Sequence, residues 1–166
     1  MKGIPFALFV LSVFFMAKCG ASIEAAEVAP LSLKTAGAVA GLSVRITQND
    51  SYSVRIDYFY PPADSAGRNL LWDGAGGAHR DDGGQLQERG APFNVYLRIY
   101  AIDNAVVIQD RRISHPTLSS WGIGVLHAEL TEVRLPPGRY QITVERRGSA
   151  AAIAEYRAGV SIVKAL

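Results

Sequence analysis

The stretch Pro92–Asp103, "PFNVYLRIYAID", decides how the chain is read. Phe93, Val95, Leu97, Ile99 and Ala101 alternate with Asn94, Tyr96, Arg98 and Tyr100. Successive side chains of a strand point to opposite faces, so this period of two marks a strand with one buried face. Asp103-Asn104 then makes a tight turn into "AVVIQDRRI", the return strand of a hairpin.

The same period recurs on both sides. Leu42, Val44 and Ile46 alternate with Ser43, Arg45 and Thr47. Tyr52, Val54, Ile56, Tyr58 and Tyr60 alternate with Ser53, Arg55 and Asp57, and Pro61-Pro62 ends that strand. "VLHAELTEVRL" alternates again, Pro137-Gly138 turns the chain, and Tyr140, Ile142 and Val144 share the next face. Tyr156, Ala158, Val160 and Ile162 line the last strand. A short strand is expected at 31–34, with a turn at Ala36-Gly37, and no helix is expected beyond the N-terminal segment. About eight strands with short turns predict an all-β fold. The expected architecture is a two-sheet antiparallel β-sandwich, Ig-like or jelly-roll-like, over residues 31–166. Its expected core holds Val54, Ile56, Val95, Leu97, Ile99, Ile142, Val144, Val160 and Ile162.

One segment breaks the pattern. Residues 68–92 carry six glycines between Asp73 and Pro92 among many charges, and read as one long loop. A loop of that length in a compact domain is functional or mobile.

The N-terminus has its own logic. Met1-Lys2-Gly3 is a short positive start and Ile4 to Ala17 is apolar without a charge. That run suits a signal segment (1–18) and is too short for a comfortable bilayer span. Cys19, the chain's sole cysteine, follows it. In one reading Met16-Ala17-Lys18-Cys19-Gly20 is a lipobox and Cys19 carries lipid, although Lys18 stands where a small residue is usual. In the other, cleavage after Ala21 or Ala26 discards Cys19. Residues 19–30 are read as a tether between the membrane or cleavage site and the domain. With one cysteine, no intrachain disulfide forms. The expected location is the periplasm, with a lipid anchor in the outer membrane or, alternatively, a soluble or secreted form.

Net charge is +2, and two of the basic residues are Lys2 and Lys18. Without residues 1–18, fifteen basic side chains face fifteen acidic ones. A nucleic-acid binder needs a basic surplus, so that class is set aside.

Candidate chemistry is sparse. Asp73, His79, Asp81 and Asp82 share the loop, but without the spacing of a cation site, so no metal is expected. A Ser–His–acid set can be assembled from Ser119 or Ser120 with His115 or His127. No G-x-S-x-G and no H-E-x-x-H occurs, and neither an enzyme nor a cofactor is expected. The residues of a binding surface are then Trp72, which enters the loop, and Trp121 in "SSWGIG", with Tyr96, Arg98 and Tyr100 on one strand face. Tyr, Trp and Arg are the side chains favoured at interfaces.

The order "PFNVYLRIYAID", "SSWGIG", "VRLPPGRYQITVE" and "YRAGVSIV" resembles a bacterial family, domain of unknown function 5625. The resemblance runs from about Leu31 to Val163. It implies a small exported protein of proteobacteria such as Burkholderia, often lipid-anchored, and carries no catalytic residues. The function expected from all this is a non-enzymatic interaction protein of the cell envelope, an immunity or accessory lipoprotein that binds a protein partner. The alternative is a glycan- or lipid-binding module, with an uncharacterised hydrolase third.

Overall fold

The computed structural model describes residues 23–24 and 28–165. The signal segment 1–18 and Cys19 lie outside the described residues.

The strands are β1 (Ile23–Glu24), β2 (Ala29–Pro30), β3 (Val39–Ile46), β4 (Asp50–Phe59), β5 (His79–Arg80) and β6 (Leu86–Gln87). They continue as β7 (Phe93–Ala101), β8 (Val106–Ser114), β9 (Ser120–Gly122), β10 (Val125–Leu135), β11 (Gly138–Gly148) and β12 (Arg157–Lys164). Helix α1 spans Ser65–Gly74, and a 3-10 turn spans Ala151–Ile153. Two antiparallel five-stranded sheets result, one ordered β1-β3-β11-β7-β8 and the other β2-β12-β4-β10-β9. We call them the first and second sheets.

All nine expected core residues are buried between these sheets, none more than 2% exposed. The period of two explains this directly, because each strand commits its apolar face to the interlayer. In β10 a bulge between Glu129 and Thr131 shifts the phase by one. Leu126, Ala128 and Leu130 are buried before it, Thr131 and Leu135 after it. Strand β4 lies between β12 and β10, and on its outer face Ser53 and Asp57 are buried among the side chains of those neighbours. Their polar atoms have partners: Ser53 Oγ donates to Glu129 Oε2 at 2.7 Å, and Asp57 meets His127.

The quoted motif around Pro137 has a structural reason. Tyr140 Oη donates to the Pro136 carbonyl at 2.9 Å and clamps the β10–β11 turn. Tyr52 Oη does the same for the Gln48 carbonyl before β4, also at 2.9 Å.

Three expectations need correction. First, residues 65–74 form a helix where the sequence predicted none, and its second half occupies the start of the expected loop 68–92. Only Gly67 and Leu71 of this helix are buried, too narrow a stripe to read as a helical period. Tertiary contacts hold it instead: Asp64 caps its start by accepting from Gly67 N at 2.7 Å, and Tyr156 Oη donates to the Gly67 carbonyl at 2.9 Å. Second, the rest of the loop contains the hairpin β5–β6. Gly76 and Gly90, at φ +71° and +69°, close its base, and a Cβ on Gly76 would fall 1.7 Å from the Gly90 carbonyl oxygen. Third, 31–34 is not a strand. Ala29–Pro30 pairs with β12 instead, and Ile23–Glu24 pairs with β3, so parts of the segment read as a tether are strands.

Leu31 and Leu33 nevertheless plug the core, and Arg146 holds the backbone beside them at Ser32 and Thr35. Arg146 is 1% exposed, and its guanidinium donates to the carbonyls of Ser32, Thr35 and Gly148. Burial pulls its pKa below the usual guanidinium value. Among the described residues, no helix is long and apolar enough to cross a membrane.

Candidate functional site

Two of the expected binding residues, 49 positions apart in sequence, meet at one end of the sandwich. Trp72 lies on α1 and Trp121 on β9, the edge strand of the second sheet. Their ring centroids are 6.1 Å apart with an interplanar angle of 75°, an edge-to-face pair.

Trp72 is the anchored member. It is half-buried against the core, and its Nε1 donates to the Ala78 carbonyl at 3.1 Å. Its ring lies on Gly77, where a Cβ would come within 2.4 Å of the indole. One helical turn earlier, Arg68 places its guanidinium carbon 5.8 Å from the Trp72 ring centre. Leu71, beside it, is fully buried and ties the helix to the core.

Trp121 is the presented member, 65% exposed. It lies opposite Leu126 in the β9–β10 ladder. The following turn holds Ile123, 92% exposed, between Gly122 and Gly124. Tyr60 braces that turn: its N–H donates to the Gly124 carbonyl at 3.0 Å and its Oη to the Gly122 carbonyl at 3.3 Å. Gly124, at φ +74°, lets the backbone pass against Pro62 and the Tyr60 carbonyl. An exposed indole and an exposed isoleucine thus stand on a braced support.

Tyr96, Arg98 and Tyr100 do not join this site. They lie on the outer face of β7 in the first sheet. Arg147 stacks on Tyr96, its guanidinium carbon 4.3 Å from the ring centre, and also meets Glu145 at 2.8 Å. Arg98 sits 6.0 Å from the Tyr100 ring centre and 4.0 Å from Asp110. These side chains satisfy one another on a mixed-charge sheet face.

In the hairpin, Asp81 turns its carboxylate onto its own loop. Oδ1 accepts from Gly83 N at 3.0 Å and Gln85 N at 2.8 Å, and Oδ2 accepts from Gln87 Nε2 at 3.1 Å. The Gln85 N–H, then the Gln87 amide, hold this carboxyl below the usual range. Among the described residues no three His, Cys, Asp or Glu side chains gather as a metal site.

Sequence reasoning missed the contact between Asp57 and His127, 2.7 Å from Oδ1 to Nδ1. Both stand on the polar phase of their strands, but only the strand register brings them together. It also missed buried Arg146, which from sequence is half of the doublet Arg146-Arg147. Its place on the core phase of β11, two residues after Val144, was the available signal.

The fold has relatives among solved structures. A crystal structure of a protein from Sulfurospirillum deleyianum aligns with TM-score 0.63 at 16% identity, covering 82% of this chain and 95% of that one. A family 35 carbohydrate-binding module from an environmental isolate aligns with TM-score 0.34 at 11% identity, covering 89% of this chain and 94% of that one. A cycloisomaltooligosaccharide glucanotransferase from Paenibacillus, complexed with cycloisomaltoheptaose, aligns with TM-score 0.32 at 11% identity, covering 89% of this chain and 18% of that one. The first of these supports the sandwich fold. No curated protein sequence matches the chain. The family model described as Domain of unknown function (DUF5625) matches residues 28–164, which hold every strand from β2 to β12, and the chain belongs to that family.

Proposed function

We propose that this protein is an interaction module of the cell envelope that docks a protein partner on the Trp72–Trp121 end of the sandwich. The observation that carries the reading is Trp121: a large aromatic, 65% exposed, held edge-on by an anchored second indole. Exposed Trp on a rigid support is the chemistry of a binding hot spot, because it buries much area with little loss of side-chain freedom. Arg68 and Ile123 extend the surface in charge and in apolar area. The immunity or accessory role belongs to the same reading, with the partner an envelope protein.

The location is part of the proposal. Cys19, lipid-modified, anchors the domain, and the apolar run before it is the signal segment. Fractionation tests this: Cys19→Ala releases the protein from membranes, whereas a mature N-terminus beyond Cys19 in the native protein contradicts it.

The docking claim is tested by co-purification from envelope extract. Wild-type protein and Tyr100→Ala retain one defined protein partner, and Trp121→Ala loses it. Retention by Trp121→Ala contradicts the site. Saturable quenching of tryptophan fluorescence by an oligosaccharide, in the absence of any protein partner, favours the glycan-binding alternative.

A further inference from the structure

Three strands of the second sheet set Asp57, His127 and Ser120 in one row. Asp57 lies opposite His127 in the β4–β10 ladder, and Ser120 lies opposite His127 in the β10–β9 ladder. Directly opposed side chains share a face, with Cβ atoms about 4.5–5.5 Å apart. Leu126, next to His127, is fully buried in the core, so the row lies on the outer face.

The imidazole is tied to the Asp57 end of this row. Nδ1 is 2.7 Å from Asp57 Oδ1, with the two side chains 12% and 4% exposed. An ionised carboxylate only accepts, so the proton of this contact sits on Nδ1 and leaves the lone pair of the neutral ring on Nε2. Nε2 is on the β9 side: a Cβ built on Gly122 would lie 3.8 Å from it. Gly122 follows Ser120 by two residues on the same face and brings no side chain to that end of the ring. Ser119 is differently employed, since its hydroxyl donates to the His127 carbonyl at 3.2 Å and accepts from Glu129 N at 3.1 Å. Ser120 and Ser119 both line an open depression of about 260 Å³, shared with Ser53, Arg55 and Glu129, that lies beside the His127 ring and does not include it. Arg55 Nε stands 3.0 Å from the Asp57 oxygen that His127 uses and donates to Ser161 Oγ at 3.1 Å, so the carboxylate is held from two sides.

We propose that Ser120 is an activated nucleophile that takes the acyl group of an ester. In this step the Ser120 hydroxyl turns about its single side-chain torsion toward Nε2. Its oxygen bonds to the ester carbonyl carbon while its proton passes to Nε2. The ester C–O bond then breaks, and the leaving alkoxide departs as the alcohol with that proton. Asp57 holds the imidazole in place and stabilises the cation formed on it. Water, deprotonated by the same Nε2, releases the acyl group as a carboxylic acid and restores Ser120. No oxidant or metal enters the balance. The proposal is independent of the docking surface, since Trp121 points to the other side of β9 from Ser120.

The test is covalent labelling of the folded full chain with a fluorophosphonate and with 4-nitrophenyl acetate, read by intact mass and peptide mapping. The expected result is one adduct per chain, on Ser120, lost in Ser120→Ala and kept in Ser119→Ala. His127→Gln slows labelling by about 100-fold or more, the usual share of a general base. Ser120 is exposed at a sheet edge, so Ser120→Ala folds and remains informative even if the His127 variant does not. Absence of an adduct, an adduct elsewhere, or equal labelling of wild type and Ser120→Ala overturns the proposal.

Discussion

Trp121 meets Trp72 edge to face at 6.1 Å, and the two indoles divide the work between them. Trp72 is pinned by its bond to Ala78 and by the core, whereas Trp121 spends most of its surface on solvent. Trp72→Ala is therefore expected to cost about 2–3 kcal/mol, below the range for a fully buried aromatic. Trp121→Ala is expected to cost no more than about 1 kcal/mol, the worth of the ring pair. Urea unfolding of the two variants checks the order. Equal losses contradict the division.

Arg146 is a buried cation satisfied by three carbonyls. Arg146→Met leaves the carbonyls of Ser32, Thr35 and Gly148 without this donor. At about 1–3 kcal/mol for each group left unpaired, partly relieved by water, the expected loss is roughly 3–5 kcal/mol. Arg146→Lys recovers only part of it, because one ammonium cannot match the guanidinium fork. Denaturant midpoints decide, and an unchanged midpoint for Arg146→Met contradicts the assignment.

Tyr58 is the opposite case. Its hydroxyl is fully buried and has no partner among the described residues, and burial pushes its pKa up. Tyr58→Phe removes a desolvated group while keeping the ring, so stability is expected to hold or rise by about 1 kcal/mol. A loss beyond about 1 kcal/mol shows that the hydroxyl has a partner in solution.

Leu97 sits midway along β7 in the first sheet, fully buried. Leu97→Ala is expected to cost about 2–4 kcal/mol through lost transfer energy and a cavity. A change within experimental error removes the core assignment.

Acid should loosen the hairpin before the core. Asp81 is held below its usual pKa by the Gln85 backbone N–H and the Gln87 side chain, and Asp103 likewise by the Arg139 backbone N–H and side chain. A carboxyl whose folded pKa lies below its unfolded value stabilises the fold above that unfolded value, near about 4. That contribution fades as pH falls through the folded pKa. Limited proteolysis with an acid-active protease is expected to cut 76–90 increasingly below about pH 4, and Asp81→Asn to give the same cut at neutral pH. Protection unchanged by both treatments contradicts the role of Asp81.

The sandwich was legible because each long strand keeps a period of two, as Phe93 to Ala101 and Tyr52 to Tyr58 do. Helix α1 was not, because Asp64, Gly67 and Tyr156 hold it through contacts that no local period records. The pairing of Trp72 with Trp121 was half legible. Each indole stood out by type and by its neighbouring glycines, but their meeting depends on how α1 packs beside β9. Tyr96, Arg98 and Tyr100 were legible as one outward face, yet their partners Arg147 and Asp110 come from the flanking strands β11 and β8. Register likewise hid the row Asp57, His127 and Ser120.

The docking reading is tested most directly by a photo-crosslinking residue in place of Ile123, beside Trp121 and 92% exposed, compared with the same residue in place of Tyr100. Irradiated in intact cells, the 123 variant is predicted to give one discrete crosslinked protein species that disappears when Trp121→Ala is added, while the 100 variant gives none. A discrete species from position 100 with none from position 123 contradicts the account.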